Sequence, residues 1–284
     1  MRAPATSANL GPGFDCLGLA LDLWNEVHAS PGGSLDPGNN LILRAAHALF
    51  EQVGAAYPGF ELRSTNGIPF ARGLGSSAAA IASGLLIANH CLGRPLDQPG
   101  LVQLATAIEG HPDNVVPCLL GGARVATLTQ TGQVVEARIP IALSLYAVVF
   151  VPEQSLPTAH ARGLLPPTVP LADALFNVAR SSLLVAALAS GQADALAEAT
   201  RDRLHQPYRA PLFPVGATLL DTAMQAGALG AFISGAGPSV LALCGDEIGA
   251  DTVAAAFEIT AHQLSVPGAS LRLAFTDRGA HVVG

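Results

Sequence analysis

Apolar residues recur at helical spacing in several windows of the chain. In residues 39–50, Leu41, Ala45, Ala48 and Leu49 share one face, which predicts a helix with Asn40 at its N-cap. Residues 78–92 form a long apolar run, read as a helix fed by a Gly-rich loop. A third helix is expected at 101–109, with Pro99 in its first turn and Gly110 as its cap. Residues 172–190, 193–204, 216–228 and 251–264 complete the predicted helices. Extended or alternating runs predict strands at 17–27, 60–64, 145–151, 240–244, 271–275 and 281–283. Residues 123–129 and 133–139 read as a hairpin after a turn at Gly121 and Gly122, and a further strand leads from Gly230 into a Gly-rich turn. Residues 5–15, small, polar and carrying Asn9 and Asp15, are expected to be a loop. Prolines concentrate in 152–170, and this change of composition predicts a long loop and a break between domains 1–151 and 152–284.

Composition narrows the classes. With 284 residues, half of them hydrophobic and 12% charged, the chain can bury a large core as one big or two ordinary domains. The formal charge is −7 and no basic run stands out, which argues against nucleic acid as a partner. No run of 18 apolar residues suggests a membrane span. The start, Met1-Arg2-Ala3-Pro4, has no signal-peptide hydrophobic region. Cys16, Cys91, Cys118 and Cys244 are far apart and form no C-x-x-C, so they read as thiols in a reducing cytosol.

The chemistry starts at residues 69–80. A loop that opens a helix leaves N–H groups without intrahelical acceptors, and the helix dipole adds partial positive charge. Gly73 and Gly75 let a ligand approach the backbone, and Ser76 and Ser77 add hydroxyls. Together they make an anion site, with phosphate as the obvious anion. The same residues also fit an ordinary Gly-rich turn with a serine N-cap. A Walker loop is excluded because it ends in Gly-Lys-Ser/Thr, and all 14 basic residues here are arginines. The densest cluster of ionisable groups follows at Glu109, His111 and Asp113. One carboxylate there can hold a Mg²⁺ that bridges phosphates, and another can orient or deprotonate a hydroxyl.

The run P-x-x-x-G-L-G-S-S-A-A, residues 69–79, resembles the ATP loop of the small-molecule kinases named for galactose, homoserine, mevalonate and phosphomevalonate. Three further motifs, T-S-A-N-L-G-P-G-F-D, E-G-H-P-D-N-V-x-P and S-G-A-G-P-S, resemble homoserine kinases, as do T-x-x-x-R and H-Q-P-Y-R-A-P. The resemblance covers nearly the whole chain. It implies an α+β fold, an N-terminal ATP-loop domain and a C-terminal ferredoxin-like domain. Relatives carry more strand before the first motif, so the first strand is expected to be short or to lack its start.

The resemblance also implies roles. Pro69, Arg72, Gly73, Leu74, Gly75, Ser76, Ser77, Ala78 and Ala79 would wrap the ATP phosphates, with Asn40 beside the adenine. Ser77 would help hold Mg²⁺, with Glu109 as second ligand, although only Gly110 separates Glu109 from His111 where some members have a longer insert. His111 and Asn114 would lie near the substrate with Asp113. Sister kinases carry a catalytic Asp where Asn114 stands, so transfer would proceed without a conventional base. Asn9 and Asp15 would contact the substrate amino acid, Thr158, Arg162 and Arg209 its carboxylate, and Gly235 would close the site from the second domain. A planar guanidinium takes a carboxylate bidentately, and a carboxylate suits an ammonium. The implied activity is ATP-dependent phosphorylation of L-homoserine in threonine biosynthesis, in the cytoplasm, with a homodimer allowed. The alternatives are a mevalonate- or sugar-type kinase of the same superfamily and a non-catalytic ATP-binding regulator.

Overall fold

The computed structural model describes residues 1–283. Its first sheet is organised by the long strand β2 (Leu17–Pro31). β1 (Arg2–Ala8) pairs antiparallel along one edge of it, with Ala8 opposite Gly18. The other edge is shared: β3 (Phe60–Asn66) takes residues 25–31 and β4 (Ala123–Leu128) takes residues 17–19. β5 (Val134–Ile139) continues outward from β4 as the expected hairpin. The second sheet has the order β7 (Gly230–Ile233), β8 (Val240–Cys244), β6 (Tyr146–Pro152), β9 (Gly268–Leu273), all antiparallel.

Helices α1 (Leu41–Gln52), α2 (Ser76–Cys91), α3 (Gln98–Glu109) and α4 (Pro112–Leu120) belong to the first unit, with α2 and α4 packed on β1. The middle of α2 is apolar around most of its circumference and is buried accordingly: Ala78, Ile81, Ala82, Leu85 and Ala88 are fully enclosed. α9 (Val215–Gln225) and α10 (Glu247–Gln263) cover the second sheet. Between the units come α5 (Thr158–Gly163), α6 (Leu171–Ser190), α7 (Leu196–Ala199) and α8 (Gln206–Arg209). One core cluster is continuous across both units, from Leu21 and Leu85 to Ala147, Leu184 and Leu241. β6, at the expected break after residue 151, pairs with β8 and β9 in the second sheet.

Several segments depart from the expectations. The expected loop at 5–15 begins only at Asn9, because Ala5, Thr6, Ser7 and Ala8 are strand. A buried strand tolerates two hydroxyls here because each has a partner: Thr6 Oγ1 donates to Asn114 Oδ1 at 2.8 Å, and Ser7 Oγ pairs with Ser234 Oγ at 2.8 Å. Residues 112–120 form α4, which two prolines hid from the pattern. The expected loop 152–170 contains α5. The expected helix 193–204 stops at Ala199, because the Asp202 carboxylate takes the N–H groups of Leu204, His205 and Gln206 and starts α8 instead. The expected strand 281–283 reduces to one bridge between Arg2 and His281. α6 is long and apolar enough by composition to cross a membrane, yet Asn177 on it donates to Asp202 at 2.7 Å, and Asp173 and Arg180 pair with Arg203 and Glu198.

Candidate active site

The Gly-rich loop meets α2 at Gly75, the N-cap, in the left-handed region at φ 69°. No serine caps this helix. Ser76 and Ser77 fall inside the first turn, so the ordinary serine N-cap does not hold and both hydroxyls are left for other partners. The loop needs its glycines sterically as well as conformationally. A Cβ on Gly73 would lie 2.1 Å from the Ser234 carbonyl oxygen, and one on Gly75 would lie 1.9 Å from Thr6 Oγ1. Ser234 Oγ donates to the Gly73 carbonyl at 2.6 Å, so the S-G-A-G-P-S turn of the second unit is fastened onto the loop. Asn9 Nδ2 donates to the Gly235 carbonyl at 2.9 Å and joins the first motif to the same turn.

These contacts enclose a cleft. Asn9, Asp15, Gly73, Gly75, Ser76, Ser77, Glu109, His111, Asp113, Asn114, Thr158, Arg162, Arg209 and Gly235 all line it, together with Ala71 and Ala236. Leu74, Ala78 and Ala79 are buried beneath the loop and fix it from below. The Arg72 guanidinium donates instead to the carbonyls of Phe70, Pro152 and Glu153, and so ties the loop to the end of β6. Pro69 and Asn40 are not among the lining residues. Asn40 caps α1 through the N–H groups of Ile42 and Leu43 and lines a neighbouring groove with Asn66, Phe70 and Ala79. Ser76 lines both groove and cleft, so the two meet at the loop.

At the loop end of the cleft, Ser77 Oγ donates to Glu109 Oε2 at 2.7 Å. Glu109 is the last residue of α3, and Gly110 turns the chain in the left-handed region directly after it. His111 is then the N-cap residue of α4, whose first turn carries Asp113 and Asn114. His111 Nδ1 lies 2.6 Å from Asp113 Oδ1. Burial pushes the Glu109 carboxyl above the usual carboxylate range, against the Ser77 hydrogen bond and the nearby His111, which pull it down. Burial opposes a charge on His111, but the Asp113 hydrogen bond and the Asp113, Glu109 and Asp15 carboxylates outweigh it and raise its proton affinity.

The other end is a charge cluster. Arg162 forks onto Asp15, with Nη1 2.8 Å from Oδ2 and Nη2 2.7 Å from Oδ1. Arg209 is only 3% exposed, and burial together with the nearby Arg162 lowers its pKa to about 10. Its Nη1 donates to the Gly235 carbonyl at 3.1 Å and to His205 Nδ1 at 3.0 Å, while its buried Nε has no partner among the described residues. Phe14 lies under both arginines, its ring centre 5.5 Å from the Arg162 Cζ and 5.2 Å from the Arg209 Cζ. The sequence reading missed Thr6, Phe14 and His205, although all three stand inside the motifs it used. Their signal was their place beside residues that touch the cleft, and only the fold gives that.

The donor set fits a magnesium ion. Among the described residues no group of three His, Cys, Asp or Glu side chains can hold a metal alone. Mg²⁺ does not need one, since it keeps waters and phosphate oxygens and takes one or two protein ligands. A half-buried Glu109 carboxyl, its proton affinity raised, beside a hydroxyl is a site that a cation would complete.

The Gly-rich loop at a helix start, the hydroxyl–carboxylate pair and the arginine cluster thus line one cleft. The GHMP kinases N terminal domain matches residues 40–122, and the GHMP kinases C terminal domain matches residues 184–263. The chain belongs to the GHMP kinase family. It is 45% identical over 257 residues to a homoserine kinase of Moorella thermoacetica, covering 86% of each chain. It is 48% identical over 260 residues to one of Gloeobacter violaceus, again covering 86% of each. A solved homoserine kinase from Cytophaga hutchinsonii superposes with a TM-score of 0.85 at 28% identity, covering 98% of this chain and 95% of that one. The mevalonate kinase of L. major shares the fold, with a TM-score of 0.73 at 15% identity and coverage of 98% and 96%.

Proposed function

We propose that the chain phosphorylates L-homoserine with ATP, giving O-phospho-L-homoserine and ADP, in the cytoplasm and for threonine biosynthesis. The observation that carries this reading is the buried, unpartnered Nε of Arg209 beside the Arg162–Asp15 fork. An unmet charged donor in a closed site is costly, and a carboxylate on the Nε edge of the guanidinium satisfies it. Asp15 then takes the substrate ammonium and Arg162 shares the carboxylate. The zwitterion exchanges one charge pair for two and leaves the net charge of the cluster unchanged.

The substrate hydroxyl points from this clamp towards Ser77 and Glu109. Its oxygen bonds the γ-phosphorus as the bond to the β–γ bridging oxygen breaks, and ADP leaves. In a loose transition state the hydroxyl keeps its proton until late, so no strong base is needed and the proton leaves for solvent after transfer. Asn114 fits this course. Its Oδ1 is taken by the Thr6 hydroxyl and one amide N–H points at Asp113 Oδ1 at 3.5 Å, which leaves the second N–H as a donor to the phosphoryl group. The N–H groups of the first turn of α2 orient the phosphates. Ser77 and Glu109 are the residues that would hold Mg²⁺, which when bound neutralises charge on the phosphates. The groove at Asn40 and Phe70 would take the adenine, and a homodimer is compatible with this arrangement.

The test is ADP release with product identified by ³¹P NMR, using L-homoserine, L-serine, L-threonine and mevalonate in parallel. Selective turnover of homoserine is expected. Preference for mevalonate or a sugar would reassign the substrate, and no turnover with any alcohol would favour a regulator.

A further inference from the structure

We propose that His205 is a positioning residue that sets which edge of the Arg209 guanidinium faces the substrate carboxylate. This rests on the reading of the cleft as an amino-acid site, but the geometry that carries it lies behind the cleft. His205 is fully buried in the turn before α8. Its Nε2 lies 2.7 Å from the Gly11 carbonyl oxygen, and its Nδ1 lies 3.0 Å from Arg209 Nη1. A carbonyl only accepts, so Nε2 carries the proton. A guanidinium only donates, so Nδ1 is bare. Both neighbours therefore demand one neutral tautomer.

That tautomer has a consequence for Arg209. Nη1 has two N–H bonds, and both are used: one on Gly235, one on His205 Nδ1. The guanidinium cannot rotate without losing them. The Nε and Nη2 edge takes no hydrogen bond among the described residues, and its Nε is buried without a partner. Phe14 supports the same orientation by stacking on the His205 ring at 5.3 Å between centroids while lying under both arginines. His205 is itself held from behind. Asp202 accepts its backbone N–H at 3.0 Å, and Asn177 of α6 donates to Asp202 at 2.7 Å and to the Pro12 carbonyl at 3.1 Å. The loop carrying Asn9, Phe14 and Asp15 and the turn carrying Arg209 are thus locked to one another through His205.

Two near-isosteric substitutions separate its two bonds. His205→Asn keeps an acceptor near the Nδ1 position and loses the reach to Gly11. His205→Gln keeps a donor near the Nε2 position and loses the acceptor for Arg209. Steady-state kinetics with both substrates, and thermal unfolding, are measured for each. The expected result is that His205→Gln raises KM for homoserine roughly tenfold or more, as loss of a charged hydrogen bond does. Its kcat and KM for ATP should stay within about twofold, and His205→Asn should keep homoserine KM within about threefold of wild type. A purely structural bond to Gly11 predicts the reverse order, with His205→Asn the worse variant. That order, or equal KM values in both variants, overturns the proposal. If either variant fails to fold, ¹⁵N NMR of the wild-type His205 ring decides. A protonated Nε2 with a bare Nδ1 is required, and any signal from a protonated Nδ1 in the folded protein overturns the proposal. Failure of the wild-type enzyme to use homoserine would sink the substrate reading separately, and the wild-type assay shows it before any variant is made.

Discussion

The Ser77 hydroxyl donates to Glu109 Oε2 at 2.7 Å, joining the first turn of α2 to the last residue of α3 across 32 positions of sequence. The two residues are half-buried at the wall of the cleft, where desolvation pushes the carboxyl towards its neutral form. A neutral carboxylic acid is a poor ligand for a hard cation, so under the proposed metal role the Ser77 bond helps keep Glu109 competent. Ser77→Ala should therefore raise the Mg·ATP concentration needed for half-maximal rate while leaving KM for homoserine within about twofold. Glu109→Gln should lower kcat by about 10²-fold, since it removes a charge aimed at the transferring group and keeps the size. Titrating Mg²⁺ at fixed ATP checks both. A wild-type Mg²⁺ response in either variant would move the metal to other residues.

This pair also marks what the sequence could and could not tell. The loop at 69–79 and the helix after it were legible because glycines, serines and a long apolar run carry a backbone message of their own. That Ser77 and Glu109 share one site came only from the family resemblance, and their direct hydrogen bond came from neither pattern nor spacing, because the distance between two helix ends is set by packing of α2 on α3 and α4. The same holds for Thr6 and Ser7. Read alone, T-S-A is a loop composition, and it becomes strand only because Asn114 and Ser234, 108 and 227 residues away, supply partners for the hydroxyls. α4 was hidden in another way. Pro112 stands in its first turn, where proline is favourable, but Pro117 inside it reads as a breaker. Arg72 shows the opposite error. Its place in the loop motif suggests phosphate, and the fold uses it to hold three carbonyls.

Arg209 sets the substrate class if it grips the carboxylate. Removing one partner of a buried charged hydrogen bond costs about 2–5 kcal/mol in binding. Arg209→Leu should raise KM for homoserine by at least roughly tenfold, equal to about 1.4 kcal/mol, with KM for ATP little changed. Arg180 is a poor control, because it is held by Glu198 and stacks on Phe176. Arg201 is a better one, since its side chain is 66% exposed and pairs, among the described residues, with Glu198 alone. Equal effects of Arg209→Leu and Arg201→Leu would remove the clamp.

Phe14 predicts a smaller effect of the same kind. Its ring carries both arginines and the His205 ring, and aromatic support of a cation is worth about 0.5–2 kcal/mol depending on desolvation. Phe14→Leu keeps the apolar volume and removes the π face. Homoserine KM should rise roughly three- to tenfold, and isothermal titration with an ATP analogue should give wild-type affinity. Loss of nucleotide binding instead would mean that Phe14 supports the loop and not the arginines.

Gly75 tests the loop directly. Alanine there must adopt φ 69° and place its Cβ against Thr6 Oγ1. A left-handed non-glycine residue costs about 1–3 kcal/mol where the surroundings hold it. The clash adds to this, and Thr6 can move only by releasing Asn114. Gly75→Ala should lower stability by at least about 1 kcal/mol and lower kcat beyond any change in ATP affinity. Gly93→Ala is the comparison. It has a similar φ of 76°, but its Cβ would meet nothing within 4 Å. Chemical denaturation and kinetics on the pair separate backbone strain, common to both, from the contact with Thr6. Equal losses in the two variants would show that strain alone matters.

His205 gives a signature in the pH dependence of stability. Burial holds its proton affinity below the ordinary value of 6.5, and Arg209 adds to this, while Asp202, Asp15 and the Gly11 carbonyl oppose. The folded state thus keeps the ring neutral at a pH where the unfolded chain already binds a proton. Between 6.5 and the lower folded value the unfolded state holds more protons, so stability falls as pH falls. The stability tied to a neutral His205 is present above about 6.5 and is lost as pH drops through the folded value. The full slope from one such group is about 1.4 kcal/mol per pH unit. His111 works with the opposite sign, because its proton affinity is raised on folding, but it is present in both proteins and cancels in a comparison. His205→Asn cannot take up the proton. Urea unfolding of wild type and variant from pH 7.5 down to pH 5 should therefore show a steeper loss in the wild type below 6.5. Parallel curves would mean that His205 takes up its proton in the folded state as readily as in the unfolded chain and is protonated below about 6.5. Its Nδ1 could then no longer accept from Arg209, and the orientation of the carboxylate clamp would have to come from Gly235 and Phe14 alone.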